Sequence, residues 1–550
     1  MMNPGIRRWD SETAWVAAIT ALVSIFSFLI YLRHGSVLLY GDAVAHINIA
    51  RRVFDSRTAS PLQLGTVWLP LPHLLMIPFL LSDWAWQTGV GGSIPSIVAY
   101  MLGAVGIFRL VRGSLSWHSM PDGMGRAAAW LAALIYAGNP NLIYLQSTAM
   151  TEPLYLALFI WAVVHLNEFA QATVMRDEDE ESGATASLRK CGLCVAAACV
   201  TRYDGWFLAV AVSVVALMVA SRARPSARLR RGVRRLVLTA AMVPVLWLGY
   251  NAIVYRNPLE FANGPYSAKA IERRSLHPGE APHPGTKDLP VAATFFLKSA
   301  ESNVAEGGMQ RVWILLALVG TVLSLAFDFR LWPLLLLWVQ LPFYTLSVAY
   351  SGVPIFLPVW WPFSFYNVRY GLELLPGLAV FVAFAAYYVG GFVRNSIGRG
   401  VVFTAFFVLV VASYWSVWRA QPICFREGWV NSRTRLVLER ELGNALKKLP
   451  PDSTLMMYLG DHVGAVQEAG IPLRRVIYEG NHRIWKEPYD PEGLWEKALV
   501  NPGEYADFVI ALDGDPVARL VQRQGLSTIE EIHASGQPRA IVYSTHPSPR

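Results

Sequence analysis

The chain has 550 residues, of which 54% are hydrophobic and only 16% are charged, and its formal net charge is +8. A soluble protein carries about a quarter charged residues, so this composition excludes a large soluble core and predicts a polytopic membrane protein. The positive charge does not indicate nucleic-acid binding, because seven arginines lie together in Arg222–Arg235, between two apolar segments. Such a segment is typical of a cytoplasmic loop that attracts anionic lipid headgroups, and we expect membrane lipids but no nucleic acid as partners.

The apolar segments predict about eleven membrane-spanning helices. In chain order they are Thr13–Leu32, Ile94–Val111, Ala127–Ala137, Glu152–Asn167, Ser187–Val200, Trp206–Ala220, Leu236–Tyr255, Val312–Phe327, Leu331–Tyr350, Leu372–Val389 and Val401–Trp418. Arg7 and Arg8 precede the first segment, which predicts a cytoplasmic N-terminus. An odd number of spans then puts the C-terminal region outside. We expect an integral protein of a bacterial or archaeal plasma membrane.

The stretch Leu39–His73 follows the first span and is the part around which the rest of the chain is organised. Tyr40-Gly41-Asp42 leads into apolar residues at helical spacing, which predicts a short amphipathic helix in the membrane interface. Asp42 would then be an acid at the membrane–water boundary. The alternative is that Asp42 is only the N-cap of that helix. The proline-containing segment Val67–Leu81 is short for a span and predicts a second interfacial helix.

Composition changes near residue 420 to that of a soluble domain, so we predict a transmembrane domain over residues 1–420 and an α/β domain over 421–550. Short apolar runs alternate with helical patterns after that point, which favours a small sheet of parallel type. The predicted strands are Thr454–Leu459, Arg475–Glu479, Asp507–Leu512 and Ala540–Ser544. No Gly-rich phosphate loop accompanies them, and an acceptor-recognition or docking role is the expectation.

Polar residues recur where the chain returns to the outer face. They are Tyr40-Gly41-Asp42, the segment Trp68–His73, Thr151-Glu152-Pro153, the segment Thr201–Trp206 and Val368-Arg369-Tyr370. This ordered layout over most of residues 1–418 resembles the GT-C superfamily of membrane glycosyltransferases, in particular protein O-mannosyltransferases and lipid A aminoarabinose transferases. The resemblance implies a polytopic α-helical GT-C-like fold and a polyprenyl-phosphate-linked sugar donor.

The resemblance also implies roles for single residues. The catalytic acid of the first outer loop matches Asp42, the acid that opens the fourth span matches Glu152, and the arginine before a late span resembles Arg369. This sequence has Ala43 where the O-mannosyltransferases have a second adjacent acid, so the acceptor class stays open.

The chemistry of such a transfer suits these residue types. A carboxylate at the interface can act as general base for an acceptor hydroxyl, and arginine can hold phosphate in two parallel hydrogen bonds. We predict Asp42 and Glu152 as catalytic residues. The candidates for binding the donor phosphate are Arg369, Arg202, His73 and Lys269, and the candidates for substrate binding are Tyr40, His46, Trp68, Asp204 and Tyr370.

Each candidate has a structural alternative. Arg369 could extend to lipid headgroups, Arg202 and Asp204 could pair only with each other, and His73 could be an ordinary loop residue. Glu152 could be a first-turn acid that complements the helix dipole, although an acid at membrane depth is functional by default.

The predicted function is inverting transfer of a hexosyl or pentosyl unit from a lipid-phosphate sugar to a hydroxyl of a lipid, glycan or protein. The alternative is a flippase or transporter of lipid-linked sugars, which would ordinarily show repeats or charges deep within its helices. No cofactor is expected. The alternative is that Asp42 and Glu152 jointly hold a divalent metal ion.

Overall fold

The computed structural model describes residues 10–116, 122–175, 178–223, 226–275, 281–481, 492–521 and 524–546. Within these residues the chain is mainly helical. The α-helices are α1 Ser11–Arg33, α2 Gly41–Arg52, α3 Leu71–Met76, α4 Asp83–Gln87, α5 Val90–Leu115, α6 Asp122–Ala137, α7 Pro140–Leu145, α8 Glu152–Met175, α9 Glu178–Cys199, α10 Asp204–Ala223, α11 Ala227–Val254, α12 Glu260–Asn263, α13 Ala268–Ser275, α14 Leu289–Val304, α15 Met309–Phe327, α16 Gln340–Tyr350, α17 Leu375–Gly391, α18 Ser396–Ala420, α19 Ile423–Leu446, α20 Val463–Ala469, α21 Leu494–Val500, α22 Pro502–Tyr505 and α23 Ala518–Val521.

Short 3₁₀ segments and five strands complete the described structure. The 3₁₀ segments are Pro61–Leu64, Ile77–Phe79, Phe329–Trp338, Val368–Leu374, Gly460–His462 and Leu473–Arg475. The strands are β1 Leu455–Met457, β2 Val476–Ile477, β3 Phe508–Leu512, β4 Ser527–Ile532 and β5 Ala540–Ser544.

Nine helical stretches of the described residues are long and apolar enough to cross a membrane. They are Ser11–Arg33, Val90–Leu115, Glu152–Thr173, Asp204–Arg222, Ala227–Val254, Met309–Phe327, Phe329–Tyr350, Val368–Gly391 and Ser396–Leu446. The two further predicted spans exist as helices, but α6 has only 16 residues and α9 begins with a run of acids. The chain is an integral membrane protein, and the count of eleven spans stays a prediction.

The chain divides into two compact units, which we describe separately. The first unit comprises Met1–Arg33, Pro95–Trp247 and Pro265–Glu427, and the second comprises His34–Ile94, Leu248–Gly264 and Gly428–Arg550. The second unit therefore contains the residues from Gly428 to Arg550 together with the first predicted outer loop. The sequence boundary at residue 420 stays a prediction.

The core of the first unit is built around α17, whose residues are nearly all apolar and buried. This helix packs against α6, α15 and α18, while the long apolar side chains of α1 point outward. An exposed apolar helix surface is what lipid requires and water disfavours. Helix α14 lies within the predicted long polar loop Arg256–Gln310 and packs on the segment Val368–Leu374. The contact is so close that a Cβ on Gly371 would clash with the backbone of Ser299.

The second unit contains a five-stranded sheet of order β2-β1-β3-β5-β4. Strands β2, β1 and β3 are parallel, as expected, whereas β5 pairs antiparallel with β3 and β4. The sheet is therefore mixed, and the expectation of a purely parallel sheet was wrong, because the predicted strand Ala540–Ser544 joins the sheet in the reverse direction. Strand β4 was not predicted because its exposed edge carries Ser, Thr and Glu instead of an apolar run.

Helix α2 of the second unit confirms the predicted helix after Asp42, but its burial differs from that of an amphipathic surface helix. Residues Ala43, Val44 and His46–Arg51 are all buried. Buried polar contacts join this helix to α4 and α20. Asn48 donates to Gln467 (2.6 Å) and accepts from the indole of Trp86 (3.0 Å), and Gln467 donates to the Trp86 carbonyl (2.8 Å). The first outer loop and the C-terminal part therefore share one polar core.

The arginine-rich segment is mostly the start of helix α11, which begins at Ala227. Residues 224–225 of this segment lie outside the described residues. The predicted interfacial segment Val67–Leu81 contains the short helix α3 and the turn Ile77–Phe79, with Leu74, Leu75 and Phe79 exposed.

Candidate functional site

Six charged side chains of the first unit form what we call the charge cluster: Glu152, Arg202, Asp204, Arg369, Glu373 and Glu427. Two of these acids begin helices: Glu152 and Asp204 are the first residues of α8 and α10. Acids are favoured there by the unpaired N–H groups and the dipole of a helix N-terminus. Glu427 is the fifth residue of α19 and lies beyond its first turn.

Glu152 joins the two arginines of the charge cluster. Its Oε1 accepts from Nη1 of Arg202 at 3.1 Å and from Nε of Arg369 at 3.0 Å, and the glutamate is completely buried. Arg369 also donates from Nη1 to Oε1 of Glu427 at 2.9 Å. Arg369 is therefore held inside the unit, and the alternative in which it only extends to lipid headgroups does not describe this geometry.

Arg202 uses all three of its guanidinium nitrogens on protein acceptors. Nε donates to Asp204 (3.1 Å), Nη1 donates to Thr151 (3.0 Å) and Glu152, and Nη2 donates to the hydroxyl of Tyr344 (2.9 Å). Burial alone would lower the pKa of Arg202, but the neighbouring phenol and carboxylates raise it well above the ordinary value. The expected pairing with Asp204 is present, and a phosphate-binding role for Arg202 stays a prediction that would require these bonds to exchange.

Glu427 fixes the backbone that presents Arg369. Its two oxygens accept from the backbone N–H groups of Asn367 (2.8 Å) and Val368 (2.9 Å). Asn367 has a left-handed backbone with φ of 57°, a conformation that asparagine tolerates better than most residues. The carbonyl of Val368 accepts in turn from Ser299 (2.7 Å) and Asn303 (2.8 Å) of α14. The bend before Arg369 is therefore held from both sides.

The charge cluster contains four carboxyl groups and two guanidinium groups, so its acids outnumber its bases. Several buried oxygens also lack a hydrogen-bond donor among the described residues: Oε2 of Glu152, Oδ1 of Asp204 and both oxygens of Glu373. Buried charges are costly unless they are paired and hydrogen-bonded. The cluster therefore has spare acceptors and little spare donor capacity, which suits binding of hydroxyl groups or protons better than binding of an anion.

Tyr370, a predicted substrate-binding residue, lies close to both arginines through its ring. The guanidinium carbons of Arg202 and Arg369 lie 5.1 and 5.0 Å from the centre of its ring, within cation–π range. Lys269, by contrast, is exposed on α13 and is not part of the cluster. Its proposed contact with phosphate has no support from the described geometry and stays a prediction.

The second unit contains the other predicted residues, in what we call the histidine site: Asp42, His46, Trp68 and His73. Nδ1 of His46 lies 2.9 Å from Nε2 of His73, and the rings of His46 and Trp68 are 4.7 Å apart. His73 is fully buried in α3, so the alternative of an ordinary loop histidine is wrong. Burial, followed by the charges of His46 and Arg52, lowers the pKa of His73 well below its usual value.

Asp42 lies in the first turn of α2, and the N-cap position belongs to Tyr40. The capping alternative therefore does not fit, because the helix begins at Gly41, two residues before the start at Ala43 that an N-cap at Asp42 requires. Asp42 is half-buried, and it precedes His46 by four residues, so the two side chains lie on the same face of the helix. Tyr40 is buried at the start of this helix.

Sequence reasoning missed Glu373, Glu427 and Tyr344. A signal was present for Glu373, because an acid inside the apolar segment Leu372–Val389 is unusual at membrane depth. No such signal marked Glu427, which is the fifth residue of a helix whose composition resembles that of a soluble protein. Within the described residues, no group of three or more His, Cys, Asp and Glu residues has the geometry of a metal site.

Comparison with known proteins gives matches of fold only. No protein-family model matches the chain. No curated protein sequence matches it either. Among solved structures, ArnT from Cupriavidus metallidurans bound to undecaprenyl phosphate matches with a TM-score of 0.57 and 11% identity, over 98% of this chain and 99% of that one. The apo state of the same protein matches with a TM-score of 0.52 and 13% identity, over the same shares of the two chains.

An archaeal oligosaccharyltransferase, AglB from Archaeoglobus fulgidus in complex with an inhibitory peptide and a dolichol-phosphate, gives a weaker match. Its TM-score is 0.48 at 13% identity, over 91% of this chain and 69% of that one. The match to ArnT extends over nearly the whole of both chains and therefore includes both compact units. The protein has the GT-C fold that the sequence resemblance predicted.

Proposed function

We propose that the protein is a membrane glycosyltransferase that moves a sugar from a polyprenyl-phosphate-linked donor to an acceptor hydroxyl on the extracytoplasmic face. The observation that carries this proposal is the match of fold, over almost the full length of both chains, to a protein bound to undecaprenyl phosphate. In this proposal the donor is a hexosyl or pentosyl lipid phosphate, and the acceptor is a lipid, a glycan or a protein. The N-terminus is cytoplasmic and the C-terminal part is extracytoplasmic.

Asp42 is the proposed general base. Its carboxylate takes the proton of the acceptor O–H, and the acceptor oxygen forms a bond to the anomeric carbon. The bond between that carbon and the phosphate oxygen breaks, and polyprenyl phosphate leaves with the electron pair. Attack opposite the leaving group inverts the anomeric configuration. Positioned base catalysis of this kind contributes about 10²- to 10⁴-fold in rate. The half-buried position of Asp42 in the first turn of α2 supports this role, because a general base needs both a fixed geometry and access to the acceptor.

The charge cluster has a different proposed role. Glu152 was predicted as a second catalytic acid, but its contacts with Arg202 and Arg369 support a positioning role, in which it holds the two guanidinium groups in place. Asp204 and Tyr370 would then contribute through their contacts with these arginines. Substrate contact by Tyr40, His46 and Trp68 is retained as a proposal for the histidine site.

The proposal is tested by in-vitro transfer with the purified protein and synthetic lipid-phosphate sugars of defined anomeric configuration. We expect a glycosidic product of inverted configuration and release of the lipid phosphate. A product of retained configuration would reject the mechanism. Movement of intact lipid-linked sugar across proteoliposomes, without any transfer, would favour the flippase alternative.

A further inference from the structure

The loop of residues 351–366, which we call the aromatic loop, connects two apolar helical stretches of the first unit. It runs from the stretch Phe329–Tyr350 to the stretch Val368–Gly391. Its sixteen residues include six aromatic side chains and three prolines but no Asp, Glu, Lys or Arg. Because both of its ends leave membrane-spanning helices, the loop lies at one face of the membrane. Water disfavours such a composition at a protein surface.

Hydrogen bonds hold the base of the aromatic loop in place. Phe356 and Tyr366 exchange two backbone hydrogen bonds of 2.9 and 3.2 Å, which bring the two sides of the loop together. Nδ1 of His283 accepts from the backbone N–H of Gly285 (2.9 Å), so its Nε2 donates to the carbonyl of Ile355 (2.9 Å). His283 and Ile355 are both buried. The residues between Phe356 and Tyr366 therefore project from a fixed base.

The tip of the aromatic loop exposes apolar side chains. Trp361 is 47% exposed and Phe363 is 66% exposed, and Val359 is also exposed. Trp360, which adjoins Trp361 in sequence, instead packs on the ring of Phe295 in α14, with the ring centres 4.9 Å apart. The exposed side chains are therefore presented by a backbone that Trp360 ties to the unit, and the tip does not hide its apolar surface by folding back.

A short basic helix lies beside the start of the aromatic loop. Helix α13 packs so close to the loop that a Cβ on Gly352 would clash with the side chain of Glu272. Lys269 and Arg273 of the same helix are exposed. Long cationic side chains at a membrane surface hold their charges among the headgroups, while neighbouring aromatic groups lie deeper. The helix and the loop together therefore have the composition that suits a membrane interface.

We propose that the tip of the aromatic loop inserts into the lipid interface, where Val359, Trp361 and Phe363 contact lipid instead of water. The partner is the bilayer that holds the protein, because the loop continues at both ends into membrane-spanning helices. Tyr350, the last residue of α16, is exposed and extends the apolar surface of that helix to the loop. Tryptophan is enriched at this depth, and interfacial apolar groups lie about 5–10 Å into the boundary between headgroups and acyl chains.

Spin labels on the full-length protein in phosphatidylcholine nanodiscs test this inference. Trp361→Cys and Phe363→Cys each receive a nitroxide label. Its collisions with oxygen, which concentrates in hydrocarbon, are compared with its collisions with a water-soluble nickel chelate. The matched control is Ile529→Cys, because Ile529 is apolar and 48% exposed but lies in strand β4 between Thr528 and Glu530. Labelled wild type reports the background from the four native cysteines.

We expect oxygen collisions to dominate at both loop positions and nickel collisions to dominate at Ile529, so that the collision ratios differ several-fold. Nickel collisions as frequent at the loop as at Ile529 would overturn the inference, because the tip would then face water and suit a partner from solution. Protection of the loop labels from both reagents would also overturn it, because the tip would then be buried against protein, such as a second copy of the chain.

A second measurement keeps the native cysteines unchanged and does not depend on the folding of the labelled variants. Lipids with brominated acyl chains quench nearby tryptophans, so Trp361→Phe should remove more of the quenchable fluorescence than Trp360→Phe does. Equal losses in the two variants would contradict insertion of the tip.

Both measurements are made without donor or acceptor, so they are independent of the proposed function. An inserted tip in a protein that transfers no sugar would keep this inference and reject the function. Sugar transfer by a protein whose tip faces water would keep the function and reject this inference.

Discussion

The charge cluster of the first unit and the region around the histidine site of the second unit differ in how their buried arginines are paired. In the cluster, Arg202 and Arg369 bond to carboxylates, and the acids are in excess. In the second unit, no carboxylate of the described residues lies within ion-pair distance of Arg52, and its Nε is buried without a hydrogen-bond partner. A region whose cations are matched by anions is suited to holding elements together. A region with unmatched donors is suited to receiving an anion from outside. The predictions below test this division.

Removing the central carboxylate of the charge cluster should give the largest effect. Glu152→Gln removes the negative charge that Arg202 and Arg369 share, and breaking a buried ion pair from one side costs about 3–5 kcal/mol. We expect a clear drop in the unfolding midpoint of the purified protein in detergent. Glu530→Gln is the matched control, because it removes a carboxylate from an exposed pair with Lys448 and should cost less than about 1 kcal/mol. Equal midpoints for Glu152→Gln and wild type would show that the cluster does not hold the first unit together.

The polar core that joins α2 to α20 should give the next largest effect. Asn48→Ala leaves the indole N–H of Trp86 and the carbonyl of the Gln467 side chain unsatisfied in a buried place, at about 1–3 kcal/mol each. We expect lower stability and increased proteolysis of the C-terminal part. Gln537→Ala, which removes an exposed amide contact with Thr434, is the control and should change little. A stable, protease-resistant Asn48→Ala protein would mean that this core is dispensable.

The histidine site should make stability depend on pH. Burial, then His46 and Arg52, lower the pKa of His73 below its ordinary value of 6.5. The unfolded chain therefore binds a proton that the folded protein excludes, so stability falls as the pH drops below about 6.5, by up to ~1.4 kcal/mol per unit. We expect His73→Asn to reduce this dependence between pH 7 and pH 5. The exposed His533 provides the control variant His533→Asn. An unchanged pH profile in His73→Asn would contradict the low pKa.

The smallest expected effect is that of chelation. A phosphate leaving group can be neutralised by arginine, so transfer should continue in EDTA at a rate within about twofold of the untreated protein. Loss of activity in EDTA that Mg²⁺ or Mn²⁺ restores would recast Asp42 or Glu152 as a metal ligand.

Several parts of this picture could be predicted from the sequence, because hydrophobic periodicity and helix starts are local signals. The helix after Tyr40, the apolar helices and four of the five strands of the mixed sheet follow from such patterns. Helix α14 was missed because its Ser299 and Asn303 look like loop residues, whereas both are buried and bond to the Val368 carbonyl. The polar face of α14 is buried and forms hydrogen bonds in the interior. Local composition does not indicate this.

The site was harder to predict for the same reason. The pattern identified Glu152, Arg202 and Arg369, yet not that Glu427 would join Arg369 from a helix 58 residues away along the chain. The adjacent residues Arg51 and Arg52 are chemically identical in sequence. Only the tertiary structure shows that Arg51 forms ion pairs with Asp55 and Asp83, whereas no acid of the described residues lies within ion-pair distance of Arg52.

The most direct test of the central claim is the rate of sugar transfer by Asp42→Asn. This substitution keeps the size of the side chain and removes its basic carboxylate, and its position in the first turn means that stability should change by less than about 1 kcal/mol. The matched control is Asp513→Asn, at an exposed pair with Arg539 in the same unit. The account predicts that Asp42→Asn folds normally and transfers sugar from a synthetic lipid-phosphate donor at least ~100-fold more slowly than wild type and Asp513→Asn. Equal rates in the three proteins would contradict it.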